Sequence, residues 1–340
     1  MTEVGIYLLI FLSTLFGVEL FRHWSRRRSL LDVPNERSSH STPTPRGGGL
    51  IIVIVCLSAF AGLTFFSKGR FSYGYLGGAG LIALISWLDD LFSISFVWRF
   101  LVHSLAALFA LGSLGYFEEF YFPFQQTVNI GHAGFLLTFL WIVWLTNAYN
   151  FMDGIDGLAG IQAVTAGFGW LLVGKFFGAE TVGFYGGVVM FASLGFLIVN
   201  WQPAKIFMGD VGSAFLGYTF AVMPLLMKNE LNPDFEKRAV LLPVAVLLVW
   251  LFVFDTLWTF ARRILKKEKV WQAHREHLYQ QMVIGGFSHQ FVSGLYGIVS
   301  ILTVLFVFLS LERKYFENYT LAFIGVQSIV LMFWRRFFKS

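Results

Sequence analysis

With 340 residues, 56% of them hydrophobic and only 13% charged, and a mean hydropathy of +0.67, the chain falls outside the range of soluble globular domains. The net charge of +5 reads as membrane orientation plus attraction for anions, with nucleic acid a poor second reading. The single cysteine, Cys56, rules out an intramolecular disulfide framework.

A hydrocarbon core is crossed by about 20 apolar residues, and the sequence holds many such runs. It predicts an all-α polytopic membrane protein of eleven spans, near 4–22, 48–66, 73–90, 97–115, 134–149, 157–177, 182–200, 212–228, 239–261, 290–310 and 319–337. The loops are too short for a separate soluble domain, so one integral-membrane domain, 1–340, is expected. The first span should be retained, because its basic residues follow the apolar run and no small-residue cleavage pattern is present. Placing the amino terminus outside puts seventeen of the 25 Lys and Arg residues on the inner side, which selects this orientation and an inner carboxyl terminus.

Along the chain, the first inner loop (23–47) contains Pro34, Pro43 and Pro45, which forbid a continuing helix, and ends Arg46-Gly-Gly-Gly. Beside the plain reading of a turn-rich basic connector stands a phosphate-facing lip, with Arg37 and Arg46 as donors and the glycines allowing close backbone approach. The third span ends on Asp89 and Asp90 at the inner boundary (88–97). Adjacent helical residues point about 100° apart, so the pair could serve a cation and a second ligand, or merely cap the next segment.

The densest polar stretch is 147–157, Asn-Ala-Tyr-Asn-Phe-Met-Asp-Gly-Ile-Asp-Gly. Charged groups cost about 2.5–3.5 kcal/mol each at a membrane's centre, so Asp153 and Asp156 belong at an aqueous edge or in chemistry. Asn147 and Asn150 share a helical face. Span parity returns the chain inside again at 200–212, where Asp210 precedes a helix whose amides favour anions and Lys205 can meet phosphate as a point charge. Alone, Asp210 would read as a cap.

The longest inner loop (262–290) carries Arg-Arg and Lys-Lys pairs, read as contacts to anionic lipid, then His274, Arg275 and His277. A zinc site would want further Cys or His ligands, so diphosphate recognition fits better. His23, His103, His132 and His289 are read as structural.

Asn147-Ala-Tyr-Asn-Phe-Met-Asp-Gly-Ile-Asp-Gly, Ala204-Lys-Ile-Phe-Met-Gly-Asp-Val-Gly-Ser, Asp89-Asp90 and Pro34-Asn-Glu-Arg, in this chain's order, resemble the polyprenyl-phosphate N-acetylhexosamine-1-phosphate transferases. The resemblance covers nearly the whole chain. Ala273-His-Arg-Glu-His-Leu-Tyr-Gln looks more like the branch that starts O-antigen or common-antigen synthesis than like the phospho-MurNAc-pentapeptide transferases, which carry a run of histidines there. The usual His-x-His-His pattern is altered here, with Tyr279 and Gln280 after Leu278.

The resemblance implies transfer of a sugar 1-phosphate, an N-acetylhexosamine or its 6-deoxy form, from a UDP-sugar to undecaprenyl phosphate, with release of UMP. It implies a magnesium cofactor, with manganese as a substitute, held by Asp210 and Asn150. Asp89 and Asp90 would orient or deprotonate the lipid phosphate, while Asp153 and Asp156 help bind the uridine diphosphate end. Asn147, Arg37, Arg46, Lys205, His274, Arg275 and His277 fall on the substrate-binding side. The enzyme would sit in a bacterial inner membrane with its site facing the cytoplasm and its amino terminus in the periplasm, in contact with lipid and compatible with a homodimer. The alternatives are a peptidoglycan phospho-MurNAc-pentapeptide transferase or a non-enzymatic transporter. A transporter's acids should lie near mid-membrane.

Overall fold

The computed structural model describes residues 2–34, 42–66, 73–121, 127–231, 238–268, 274–313, 320 and 322–330. In chain order the helices are α1 (Glu3–Arg27), α2 (Gly49–Phe66), α3 (Tyr73–Phe92), α4 (Phe96–Leu114), α5 (Ala133–Phe151), α6 (Leu158–Phe177), α7 (Glu180–Asn200), α8 (Asp210–Glu230), α9 (Leu241–Leu248), α10 (Trp250–Leu265), α11 (Leu278–Ile284) and α12 (His289–Glu312). Residues 322–330 are also helical. Two antiparallel pairs of two-residue strands interrupt the helices: β1 (Leu31–Asp32) with β2 (Thr44–Pro45), and β3 (Glu119–Phe120) with β4 (Val128–Asn129).

Among the described residues eight helices, α1, α3 to α8 and α12, are long and apolar enough to cross a membrane. Counting the bent pair α9 and α10 as one span gives up to nine. The α2 segment is apolar but shorter. The chain is thus a polytopic helical membrane protein.

Helix α8 is the axis of the bundle. Every residue from Val211 to Lys228 is buried, with α3 and α5 packed along it and α6 and α7 paired beyond. Close approach around α8 rests on small residues. Gly49, opening α2, lies so near Gly212 that a Cβ on it would come within 2.4 Å of the Gly212 Cα. Outer helices instead turn Phe16, Leu20, Trp98, Phe100 and Leu101 outward, as lipid-facing surfaces require.

The sequence predicted one continuous span over 239–261. The structure breaks it at Val249, where α9 and α10 meet at 81°. A break inside an apolar bundle strands backbone groups that cost several kcal/mol each when unpaired. Here the Leu248 carbonyl accepts a hydrogen bond from Gln162 Nε2 at 2.9 Å, and Ser300 Oγ donates to Gln162 Oε1 at 2.9 Å. Gln162 is 1% exposed, so bulk solvent does not reach these groups. Gln162→Leu should therefore destabilise the protein by about 1–3 kcal/mol, seen as a lower midpoint of thermal unfolding in detergent. An unchanged midpoint would show that the break does not depend on this side chain.

Candidate active site

The acidic segments predicted to share one side of the membrane do meet, at the amino-terminal end of α8. Asp90, 4% exposed, ends up against the first turn of that helix. Its Oδ1 accepts the Asp210 N–H and its Oδ2 the Val211 N–H, both at 3.1 Å. It is a cap supplied by another helix, matching a carboxylate to the helix's unpaired amides and positive end. Arg46 Nη2 donates to the Asp90 carbonyl, which fixes the end of α3 against β2.

The glycine-rich lip has a different use from the one predicted. Phe207 N–H donates to the Pro45 carbonyl, and the Gly48 and Gly49 N–H groups donate to the Phe207 and Met208 carbonyls, at 2.8–2.9 Å. These glycines admit the close approach of another segment of the same chain, which locks the loop before α8 onto the start of α2. Of the two arginines expected on the lip, Arg46 is spent on Asp90 and Arg37 lies outside the described residues.

Asp89 and Asp210 both face a residue that sequence reasoning counted only toward orientation. Arg99 Nη1, from the first turn of α4, lies 2.5 Å from Asp89 Oδ2 and 2.8 Å from Asp210 Oδ2. Two carboxylate oxygens converging on one cationic nitrogen form a donor set suited to a hard cation. Among the described residues no three His, Cys, Asp or Glu side chains converge into a metal-holding group. Magnesium does not need one, because it binds through one or two carboxylates and completes its shell with water and substrate phosphates. Asn150, on the last turn of α5, faces the same helix start and accepts a hydrogen bond from Ser213 Oγ at 3.3 Å.

Asp153 follows in the turn after α5. Burial first, then the neighbouring carboxylates of Asp210, Asp90 and Asp156, push its carboxyl well above the usual carboxylate range. Several carboxylates thus lie close enough to repel one another, an arrangement that favours positive charge among them.

Asp156 holds structure together instead of facing that pocket. Its Oδ2 accepts the Ala204 N–H at 3.0 Å, and its Oδ1 lies 3.4 Å from His289 Nδ1. His289, read as structural, is the partner that ties this turn to α12. Gly157, with φ +79°, completes the turn in a conformation that favours glycine, its N–H donating to Asn200 Oδ1 at 2.9 Å. Asn147 donates back to the Val143 carbonyl of its own helix at 2.7 Å. The Lys205 side chain is exposed on the loop before α8.

The described part of the last large loop, 274–288, is tied back to the end of α5. Tyr279 OH donates to the Phe151 carbonyl at 3.1 Å, tying α11 to the end of α5. Arg262 and Arg263 are held by Glu276 at 2.5 and 2.8 Å, which fixes the loop between His274 and His277 beside the end of α10. Half-buried Arg275 lies between them. Burial, then His277 and Arg263, lower the His274 pKa to about 4, so this ring is neutral near pH 7. Its Nδ1 accepts the Glu276 N–H at 3.4 Å.

His277, 5% exposed, sits with its Nδ1 3.0 Å from Asp255 Oδ1. Sequence reasoning missed Asp255 as well as Arg99. The available signal was a single carboxylate inside an apolar run, a functional-site hypothesis by default.

Comparison with known proteins finds relatives over most of the chain. A probable undecaprenyl-phosphate N-acetylglucosaminyl 1-phosphate transferase of Bacillus subtilis is 30% identical over 286 residues, 84% of this chain and 78% of that protein. The undecaprenyl-phosphate alpha-N-acetylglucosaminyl 1-phosphate transferase of Salmonella typhi is 29% identical over 307 residues, covering 85% and 78%. A phospho-N-acetylmuramoyl-pentapeptide-transferase of Streptococcus equi subsp. zooepidemicus is 32% identical over 216 residues, covering 58% and 63%. The model of glycosyl transferase family 4 matches residues 72–228, the stretch that runs from α3 through α8 and holds the whole carboxylate cluster. This chain is a member of glycosyl transferase family 4.

Proposed function

We propose that this chain transfers a sugar 1-phosphate from a UDP-sugar to undecaprenyl phosphate and releases UMP, with N-acetylglucosamine as the first sugar to test. The observation that carries the reading is the set of carboxylates at the start of α8, where Arg99 bridges Asp89 and Asp210 and so marks a place that draws positive charge. It is supported by similarity over 84–85% of the chain to N-acetylglucosaminyl 1-phosphate transferases, against 58% for a pentapeptide transferase.

In this reading an oxygen of the lipid phosphate attacks the sugar-linked phosphorus of the donor. The bond from that phosphorus to the UMP oxygen breaks, and UMP leaves with the electron pair. A phosphate monoester has its second pKa near 6, so most of the acceptor is already dianionic at pH 7 and no strong protein base is required. Direct attack, with no covalent aspartyl intermediate, is the step this reading takes, and Asp90 is committed to the helix it caps. Asp210 and Asp89 would hold magnesium, with Asn150 alongside, and the ion would neutralise charge on the transferring phosphoryl group. Asp153 lines the same pocket, and Asp156 acts by fixing its floor. Arg275 and His277 face the diphosphate or the sugar.

This reading places the cluster at the cytoplasmic face of a bacterial inner membrane, with eleven spans and the amino terminus outside. With Cys56 replaced by Ala, single cysteines introduced at Arg28, Asp153 and Arg275 should label only after the cell is permeabilised, and labelling of any one from outside would refute a single inner site. Purified protein supplied with undecaprenyl phosphate and a panel of UDP-sugars should release UMP with UDP-N-acetylglucosamine and magnesium. Release only with the UDP-MurNAc-pentapeptide would move the chain to the peptidoglycan branch, and release with no donor would refute the enzyme.

Arg275 offers a planar fork matched to phosphate oxygens, which lysine lacks. Arg275→Lys should raise KM for the UDP-sugar by about 10-fold, the equivalent of one hydrogen bond to a charged group, and leave KM for undecaprenyl phosphate unmoved. Unchanged constants for both substrates would assign Arg275 to the basic cuff.

A further inference from the structure

Asp255 is fully buried, at 0% exposure, on α10 just beyond the break at Val249. Five groups converge on its carboxylate. Oδ1 takes His277 Nδ1 at 3.0 Å, the Leu278 N–H at 2.9 Å and Thr259 Oγ1 at 3.3 Å; Oδ2 takes the Tyr279 N–H at 3.3 Å and Tyr296 OH at 3.1 Å. Leu278 and Tyr279 open α11, so the carboxylate caps that helix from α10 while Tyr296 reaches it from α12.

Every one of these partners is a donor or can become one, and an ionised carboxylate is acceptor-only. A buried charge is tolerated when its lone pairs are filled in this way. The arrangement dictates the state of the histidine. An unprotonated Nδ1 would set its lone pair against a carboxylate lone pair at 3.0 Å, so the hydrogen must sit on Nδ1. In the neutral ring Nε2 is then the acceptor. Nε2 is the ring nitrogen that does not meet the Asp255 carboxylate, which makes it the acceptor available to a ligand.

We propose that Asp255 is a positioning residue for the transfer reaction: it holds His277 in the Nδ1–H tautomer and fixes its ring, so that Nε2 is the atom presented to the substrate. The proposal rests on the reading of His277 as a substrate-facing group. It also gives the broken span a use, since the bend at Val249 places a carboxylate of α10 beneath the loop that carries His277.

The test combines a spectroscopic and a kinetic arm. ¹⁵N-histidine spectra of the full chain in nanodiscs, with the His277 signal identified by its loss in His277→Asn, should show Nδ1 protonated and Nε2 bare. A protonated Nε2 with bare Nδ1 in the unaltered protein would overturn the proposal, and this arm needs no change at Asp255. Asp255→Asn should remove the tautomer preference and lower turnover by about 10- to 100-fold, by analogy with the loss when the partner that orients a metal-bound histidine is removed. In a double-mutant cycle, Asp255→Asn added to His277→Asn should cause no further loss. Losses that multiply would mean that Asp255 acts through the fold and not through His277. If His277→Asn alone leaves turnover unchanged, the substrate-facing reading of His277 fails and the role of Asp255 in transfer falls with it, whatever tautomer the spectra report.

Discussion

Asp210→Asn is expected to abolish transfer while leaving the fold intact. The amide keeps the side chain's shape and loses the negative charge that, with Asp89, defines the cation position. Removing one group that stabilises charge in a transition state costs about 10²–10³-fold, and loss of the cation itself would cost more. The fold should not suffer. The bridge to Arg99 joins side chains exposed by 27% and 31%, a class worth about 0–1 kcal/mol. Its loss is offset by relief of repulsion from the Asp153, Asp90 and Asp89 carboxylates. Turnover and unfolding midpoint measured on one purified sample decide the matter. Turnover within a few-fold of the unaltered protein at ordinary magnesium concentration would remove Asp210 from the chemistry.

Asp90→Asn should behave differently, although its carboxylate neighbours the same cluster. Both of its oxygens accept backbone N–H groups at the start of the central helix. An amide offers one oxygen and turns its NH₂ against the other N–H, so a buried donor is left unpaired. The expected cost is about 1–2 kcal/mol of stability, the range for losing a helix cap. Activity should fall with it, because the same helix start carries Asp210. A variant that unfolds at the normal temperature yet is inactive would make Asp90 a chemical participant instead. The pair of predictions separates a residue that does chemistry from one that places it, a distinction two adjacent aspartates do not reveal by spelling.

The carboxylate cluster was legible because polar groups are scarce in this chain: Asp89, Asp90, Asp153 and Asp210 stand out at the ends of apolar runs, and span parity puts them on one side. The roles within it were not, because they depend on partners distant in sequence. Asp90 is assigned by the amides of residues 210 and 211, and Asp156 by Ala204 and His289. Arg99 was counted toward orientation since a basic residue beside a span is ordinarily that, and only the packing of α4 brings it to Asp89 and Asp210. The break at Val249 has no glycine or proline at the bend itself, and its support comes from Gln162, 86 residues earlier. For the same reason Asp255 read as part of an uninterrupted apolar span, while its partner His277 lies 22 residues away.

The central claim is that the sugar moves together with its phosphate, and the most direct measurement follows the sugar-linked phosphorus of the donor. Purified protein given UDP-N-acetylglucosamine labelled with ³²P at that position, with magnesium and undecaprenyl phosphate, should carry the label into the organic phase and leave unlabelled UMP in the aqueous one. Label left in the aqueous phase as UDP would mean that the sugar moves without its phosphate, and would contradict the account.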